Sequence, residues 1–299
     1  MLQFGIRTFA LTLLLGLTAL AAAPEGEVES APILEQLPPG MEANLIDPLQ
    51  VEKNPPFTRG EVLHFKLGWS IFTVASASLS VSPALYEDHP AYTIDLRTRT
   101  NAFADSFYKV RNHSISWIAD DVSRSLEYRA IQYEGGRERD TQALFNAEDL
   151  SARYINHLRG DQEGPVAILP GTFDPLGIVF FIRSIDLKVG EDIVVPTSNG
   201  KEFFYTIIHV VKKVKRDFNI GRREAFVLEP DIKDIGGVFK RSPDGMIRFY
   251  FSADKERLPL RMESEVAVGK FWAELTEIGV PEQTAAPDPE ESVTVAEVK

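Results

Sequence analysis

The residue types that carry most enzyme chemistry are scattered along this 299-residue chain without a recognisable spacing. The chain has no cysteine, which excludes a thiol nucleophile, a disulfide and a thiolate metal ligand. No Gly-x-Ser-x-Gly elbow, phosphate-binding loop or dinucleotide fingerprint occurs. The five histidines lack zinc-binding spacing: His64, His89, His113, His157 and His209. We therefore predict no catalytic residue, no metal site and no cofactor.

Carboxylates are abundant, and a pair of them can hydrolyse a glycosidic bond. Asp120 and Asp121 are adjacent, but neighbouring residues of a strand point to opposite faces, and Val122-Ser123 favours a turn there. A glycan-acting enzyme is therefore the last of three functional alternatives. Two carboxylates within about 5–10 Å of each other in one cleft would support it.

The acidity of the chain belongs to its two ends. The net charge is -12, but residues before Phe57 and after Val280 hold 12 of the 44 acids and three of the 32 bases. Residues 57–280 therefore contain 32 acids and 29 bases, a net charge of -3. Nucleic-acid binding needs a strong basic excess, so we expect no nucleic-acid partner.

Between residues 57 and 279 the dominant pattern is an alternation of apolar and polar residues. Leu63, Phe65, Leu67 and Trp69 place four large apolar side chains on one face of a strand. Similar short runs recur at hairpin-like spacing, separated by turn residues such as Gly135-Gly136. The pattern predicts a mainly β protein with a single large curled antiparallel sheet, either a partial barrel or a sandwich-like meander.

One short helix is predicted around residues 174–185. Asp174-Pro175 supplies an N-cap acceptor and a proline at the first helical position. The following residues are apolar on every side of the helix, and such a helix must be enclosed by other elements. It is either a plug of the core or a lid over a ligand cavity.

Candidate ligand contacts come from this helix and from the tryptophans, which could line an apolar pocket. They are Trp69, Trp117, Leu176, Phe180, Phe181, Arg183 and Trp272. A run of small residues from Ala75 to Ser80 would let another backbone or a ligand approach the sheet closely.

The ends of the chain are typical of an exported protein. Residues 1–21 combine Arg7, an apolar run of 12 residues and small residues near Ala21, as in a cleavable signal peptide. We expect a Pro/Glu-rich disordered tether at 22–56, a β-rich domain at 57–279 and an acidic Pro-rich disordered tail at 280–299. Without cysteine no lipid anchor can form, and we expect no transmembrane segment in the mature chain.

Three stretches carry a family resemblance: Phe57–Leu63 with Gly68-Trp69, Asp174–Arg183, and Phe249–Asp254 followed by Arg257–Leu260 and Val268-Gly269. They resemble the exported bacterial proteins of domain of unknown function 3108. The resemblance spans about residues 57–279 and implies an exported, β-rich, non-enzymatic domain.

These observations predict a periplasmic or otherwise exported binding domain whose concave face holds an apolar envelope ligand such as a lipid acyl chain. The alternative is a scaffold or assembly partner of cell-envelope or glycan machinery, with an envelope protein as its partner.

Overall fold

A computed structural model describes residues 48–231, 246–266 and 269–280 of the protein. In these ranges the chain forms one antiparallel sheet and two short helices. The strands are β1 (Glu61–Trp69), β2 (Phe72–Tyr86), β3 (His89–Thr100), β4 (Val110–Ala119), β5 (Ser125–Glu134), β6 (Arg137–Asn146), β7 (Ser151–Asn156), β8 (Asp161–Ala167), β9 (Asp192–Ser198), β10 (Phe203–Phe218), β11 (Gly221–Pro230), β12 (Met246–Ser252), β13 (Pro259–Val266) and β14 (Gly269–Gly279). The helices are α1 (Ala102–Asp105) and α2 (Gly177–Ser184).

The sheet consists of two meanders, β1 to β8 and β9 to β14, which join where β1 pairs with β14. Its strand order is β8-β7-β6-β5-β4-β3-β2-β1-β14-β13-β12-β11-β10-β9, so the first and last strands of the chain pair at its centre. Each of the other strands pairs with its neighbour in sequence, as the short turns of the sequence predict. The prediction of a single curled antiparallel sheet is confirmed.

The two outer strands do not hydrogen-bond to each other, but side chains close the gap between them. Residues from β7, from β9 and β10 and from the segment after β8 form a shared apolar cluster: Ala152, Ile168, Val194, Phe203, Tyr205 and Ile207. Phe173 bridges β9 at Thr197, and Ser125 donates its backbone N–H to Thr172. The sheet therefore curls into an unclosed barrel whose open seam is covered by the segment that leads into α2.

Helix α2 lies inside this curl. Phe180 and Phe181 are 0 % exposed, and the helix contributes to one apolar core with side chains from both halves of the sheet. The prediction of a short buried helix near residues 174–185 is confirmed, with bounds of 177–184. No helix of the described ranges has the length and apolar character needed to cross a bilayer.

The Asp174 side chain binds the start of α2, as the sequence predicts, but the helix begins at Gly177 with Leu176 at its N-cap, so Pro175 precedes the first helical position. The Oδ1 of Asp174 accepts the backbone N–H groups of Leu176 and Gly177 at 2.8 and 3.0 Å. Its Oδ2 accepts the hydroxyls of Ser116 on β4 and Ser125 on β5 at 2.6 and 2.5 Å. One carboxylate thus orders the first turn of the helix and fastens it to the sheet.

The other end of α2 is fastened by Arg183, whose side chain is 0 % exposed. Its guanidinium forms an ion pair with Glu61 at the start of β1 and donates to the carbonyl of Glu256 at 3.2 Å. It also lies 5.3 Å from the ring centres of Phe57 and Phe180. We call this end of the barrel the helix end, and the opposite end, at the β1–β2 turn, the hairpin end.

The predicted signal peptide at 1–21 lies outside the described residues, as do most of the predicted tether at 22–56 and all but the first residue of the tail at 280–299. Residues 48–56 of the predicted tether are described, and they contact the domain. Asn54 donates its backbone N–H to the carbonyl of Ser184 at 2.7 Å, and Val51 packs on the core. Contacts with the domain therefore begin before residue 57.

We predict that Arg183→Met lowers the free energy of unfolding by about 3–5 kcal/mol, because it leaves Glu61 partly buried and without its counter-ion. Urea unfolding followed by circular dichroism measures this change. Lys188→Met is the matched control, since Lys188 and Glu191 form an ion pair whose side chains are 72 % and 57 % exposed. The control should change stability by less than about 1 kcal/mol. Equal effects would contradict a special role for the buried pair.

Candidate functional site

The two faces of α2 have different surroundings. Pro175, Ile178, Val179 and Ile182 follow the i, i+3, i+4, i+7 spacing of one helical stripe, and all four border open space inside the barrel. Leu176, Phe180 and Arg183 lie on the other side and are packed against the sheet and Phe57. The helix is therefore both a plug and one wall of a cleft.

This cleft consists of two adjoining grooves between α2 and the concave face of the sheet. Their empty volumes, counted out to their open mouths, are about 660 and 560 Å³. Val179, Phe249 and Phe251 border both grooves. The first groove is lined by Phe65, Leu67, Ala77, Leu79, Leu96, Thr98, Val179, Phe249, Phe251, Pro259, Arg261, Met262 and Ala273. The second is lined by Pro175, Ile178, Val179, Ile182, Thr206, Ile208, Leu228, Pro230, Ile247, Phe249 and Phe251.

The small residues of β2 leave space for the first groove. Ala77 is part of its lining, and the neighbouring Ala75 packs with Leu67 and Val110. A larger side chain at residue 77 would project into the groove, because it would share a face with Leu79. The small-residue run that the sequence shows thus lies partly against open space and partly in close packing.

The wall of the first groove continues to the hairpin end. Trp69 lies two residues beyond Leu67 on β1, and Phe271 lies two residues before Ala273 on β14, so each lies on the same face as a groove residue. The rings of Trp69 and Phe271 are stacked with centres 6.4 Å apart, and Trp69 is 38 % exposed. Trp69 therefore extends the groove wall beyond Leu67 toward the β1–β2 turn, although it does not line the groove itself.

The other two tryptophans lie on the convex face. Trp272 pairs with Gly68 in the sheet, donates its indole N–H to the carbonyl of Ser70 at 2.9 Å, and lies under the guanidinium of Arg261. Trp117 packs on Tyr86 with ring centres 5.6 Å apart. Neither borders the cleft, so the structure separates them from Trp69.

The four candidate residues of the helix region also lie outside the groove linings. Leu176, Phe180 and Phe181 are 0 % exposed and belong to the core, where Phe181 contacts Phe173 at a ring distance of 5.0 Å. Arg183 is held in the ion pair at the helix end. Of the seven residues predicted from sequence, none lines either groove, and Trp69 is the one that extends a groove wall.

The sequence shows that the groove-lining residues of α2 are apolar, but it does not distinguish them from the apolar residues of the same segment that pack in the core. Ile178, Val179 and Ile182 form one apolar stripe, but Leu176 and Phe180 form another that is equally apolar. The sheet residues Phe249 and Phe251 alternate as predicted, yet alternation alone does not show whether a groove is filled.

The cleft has little chemistry beyond apolar contact. Arg261 is the charged residue in the two linings, and its guanidinium is paired with Glu263 and Glu274. Neither lining contains an aspartate or a glutamate, so the carboxylate pair that a glycosidase needs is not found in this cleft. Within residues 48–231, 246–266 and 269–280, no cluster of three metal-ligating side chains occurs.

Asp174 is the buried carboxyl group nearest to the helix. Burial raises its pKa above the ordinary value, and the hydrogen bonds from Ser116, Ser125, Gly177 and Leu176 offset part of that rise. All of its described contacts hold the helix in place, so the structure gives this group a structural role.

A family model matches this chain, and a solved structure is similar to it. The family model described as "Protein of unknown function (DUF3108)" matches residues 64–276. No curated protein matches the chain. Among solved structures, a β-barrel-like protein of domain of unknown function DUF1849 from Brucella abortus is similar, with 11 % identity, a TM-score of 0.47, and coverage of 75 % of this chain and 98 % of that chain.

We predict that the stability advantage of the wild type over Asp174→Asn falls as pH rises. Because the folded-state pKa of Asp174 is raised, the advantage is complete below the unfolded pKa of about 3.9 and decreases as pH passes through the folded pKa. Urea unfolding of both proteins between about pH 4 and pH 7 measures this difference. A difference that grows with pH would contradict the raised pKa.

We predict that Gly68→Ala destabilises the protein by about 1–3 kcal/mol, because the added methyl group would overlap the indole of Trp272. Gly279→Ala on β14 is the matched control, since a methyl group there would be 3.7 Å from its nearest neighbour. Thermal unfolding and tryptophan fluorescence measure both effects. If the two variants melt together with unchanged fluorescence, the tight Gly68–Trp272 packing is wrong.

Proposed function

This chain belongs to the DUF3108 family, and we propose that it is an exported, periplasmic binding protein that holds an apolar envelope ligand in the cleft beside α2. The ligand class that fits best is a lipid acyl chain. The observation that carries this proposal is the pair of apolar grooves inside an otherwise packed barrel, each bordered by one stripe of a helix that the sheet encloses. The signal-peptide pattern at residues 1–21 supports export.

The composition of the grooves supports an aliphatic ligand. Their linings are dominated by Leu, Ile, Val, Phe and Met side chains, with few hydroxyls, so a polar ligand would lose its hydrogen bonds to water without replacement. A hydrocarbon chain forms no hydrogen bonds to water and therefore loses none when it enters the grooves.

The energetics support reversible binding. Burying ten methylene groups stabilises a complex by about 8 kcal/mol, and the loss of translational and rotational freedom on association offsets part of this gain. The net affinity is then in the micromolar to millimolar range, which suits a carrier that must release its ligand.

Val179→Trp tests the proposal, because Val179 borders both grooves and is partly exposed to them. We expect native mass spectrometry of the protein, expressed from its full sequence and purified, to show a bound lipid in the wild type. In the variant the bound fraction should fall about tenfold, with little change in melting temperature. Val211→Trp is the matched control, since Val211 is 42 % exposed and borders neither groove.

Two results would contradict the proposal. A wild-type protein that carries no lipid, and that binds no fatty acid when one is added, would favour the scaffold alternative. A Val179→Trp variant that keeps as much lipid as Val211→Trp would show that the ligand lies elsewhere.

A further inference from the structure

The hairpin end carries a cluster of exposed apolar side chains. Phe72, Phe103 and Phe107 are 57 %, 62 % and 70 % exposed, and Ile71, at the β1–β2 turn, is 84 % exposed. With Trp69 at 38 % exposure they form a set that we call the rim patch: Trp69, Ile71, Phe72, Phe103 and Phe107. Exposed apolar residues gathered in one place mark an interaction surface more often than scattered ones do.

Backbone contacts hold the members of the rim patch together. Asn101, which caps α1, donates its backbone N–H to the carbonyl of Val74 at 3.0 Å and its side-chain amide to the carbonyl of Thr73 at 2.8 Å. These bonds fasten α1 to the start of β2. Phe103 and Phe107 then contact each other with ring centres 5.5 Å apart.

Hydrogen bonds to β14 hold the β1–β2 turn in place. Ser70 has a positive φ of 54° in the turn and donates its backbone N–H to the carbonyl of Lys270 at 2.7 Å. Its carbonyl accepts the indole N–H of Trp272 at 2.9 Å. The tip that carries Ile71 and Phe72 is therefore anchored by β14 and projects from the sheet.

The rim patch continues the wall of the cleft. Trp69 and Phe72 are paired across the β1–β2 hairpin and so lie on the same face of the sheet, and Leu67, two residues from Trp69, lines the first groove. An apolar path therefore leads from the groove to the exposed tip.

The charges around the rim patch favour an anionic surface. The segments 69–73, 99–111 and 264–271 contain four cations and two acids. Asp105 is paired with Arg111 at 2.7 Å, and Glu265 is paired with Lys270. The surplus cations are Arg99 and Lys109, in a segment, residues 57–280, whose net charge is -3. This local excess complements anionic headgroups, and aromatic and apolar residues flanked by cations are typical of interfacial membrane binding.

We propose that the rim patch docks onto the surface of a bilayer that contains anionic phospholipid, with the mouth of the cleft facing the lipid. The inference rests on the proposed function, because it explains how an acyl chain would enter and leave the groove. Docking and ligand content are nevertheless measured separately.

Flotation with vesicles tests the docking, with the protein expressed from its full sequence and purified without residues 1–21. The vesicles contain phosphatidylglycerol and phosphatidylcholine, or phosphatidylcholine alone. We expect the wild type to float with the anionic vesicles and the double variant Ile71→Ser/Phe72→Ser to bind at least about tenfold more weakly. The double variant Phe103→Ser/Phe107→Ser should be weakened similarly. Leu85→Ser is the matched control, since Leu85 is 64 % exposed at the helix end, and it should float like the wild type.

Cation variants test the electrostatic part. Arg99→Gln and Lys109→Gln should each weaken binding to the anionic vesicles about fivefold and leave binding to phosphatidylcholine vesicles unchanged. All of these residues are exposed, and circular dichroism confirms that the variants remain folded.

Several results would overturn the inference. A wild-type protein that does not float with anionic vesicles, or rim-patch variants that float as well as Leu85→Ser, would exclude membrane docking by this surface. If the wild type does not float and the rim-patch variants convert a dimer into a monomer, the surface binds a second copy of the chain instead. A protein that carries lipid but does not float would overturn the docking alone, whereas one that floats but carries and binds no lipid would overturn the proposed function.

Discussion

The architecture depends on how one buried guanidinium is held in place. Arg183 is fully enclosed, and a buried charge is costly unless a counter-ion and hydrogen bonds replace its water. Glu61 and the carbonyl of Glu256 supply these partners to the two terminal nitrogens, Phe57 and Phe180 enclose the group, and Nε has no hydrogen-bond partner among the described residues. Because the partners come from the start of β1 and from the β12–β13 turn, these contacts fix where the end of the helix lies in the barrel.

The same helix is fastened at its other end by a second buried group. The Asp174 carboxylate binds two backbone N–H groups of the first turn and two serine hydroxyls of β4 and β5. Fastening at both ends leaves the stripe of Ile178, Val179 and Ile182 turned toward β10–β12, where the sheet does not fill the space. The cleft is thus a consequence of where the helix is held, and its lining is apolar.

The two ends of the barrel differ in how they are closed. The helix end is closed by Phe57, Glu61 and Arg183, whereas the groove wall runs on toward the hairpin end, where aromatic side chains are exposed. Trp69 and Trp272 both lie at that end. Trp69 extends the groove wall, and Trp272 lies beneath the turn that carries Ile71. Under the proposed function this difference between the two ends matters, because an apolar ligand would leave at the end where apolar contact continues.

The sequence by itself determined the antiparallel sheet, the short enclosed helix and the Asp174 side chain that binds its start, because alternation, turn residues and capping are local signals that a few neighbouring residues carry. It did not determine which stripe of the helix would border a cleft, since Leu176 and Phe180 are as apolar as Ile178 and Val179. That choice was decided by contacts between residues far apart in the chain, Arg183 with Glu61 and Asp174 with Ser116 and Ser125. The exposure of Trp69 likewise followed from its place at the last pair of a hairpin, where no further strand residue remained to cover it.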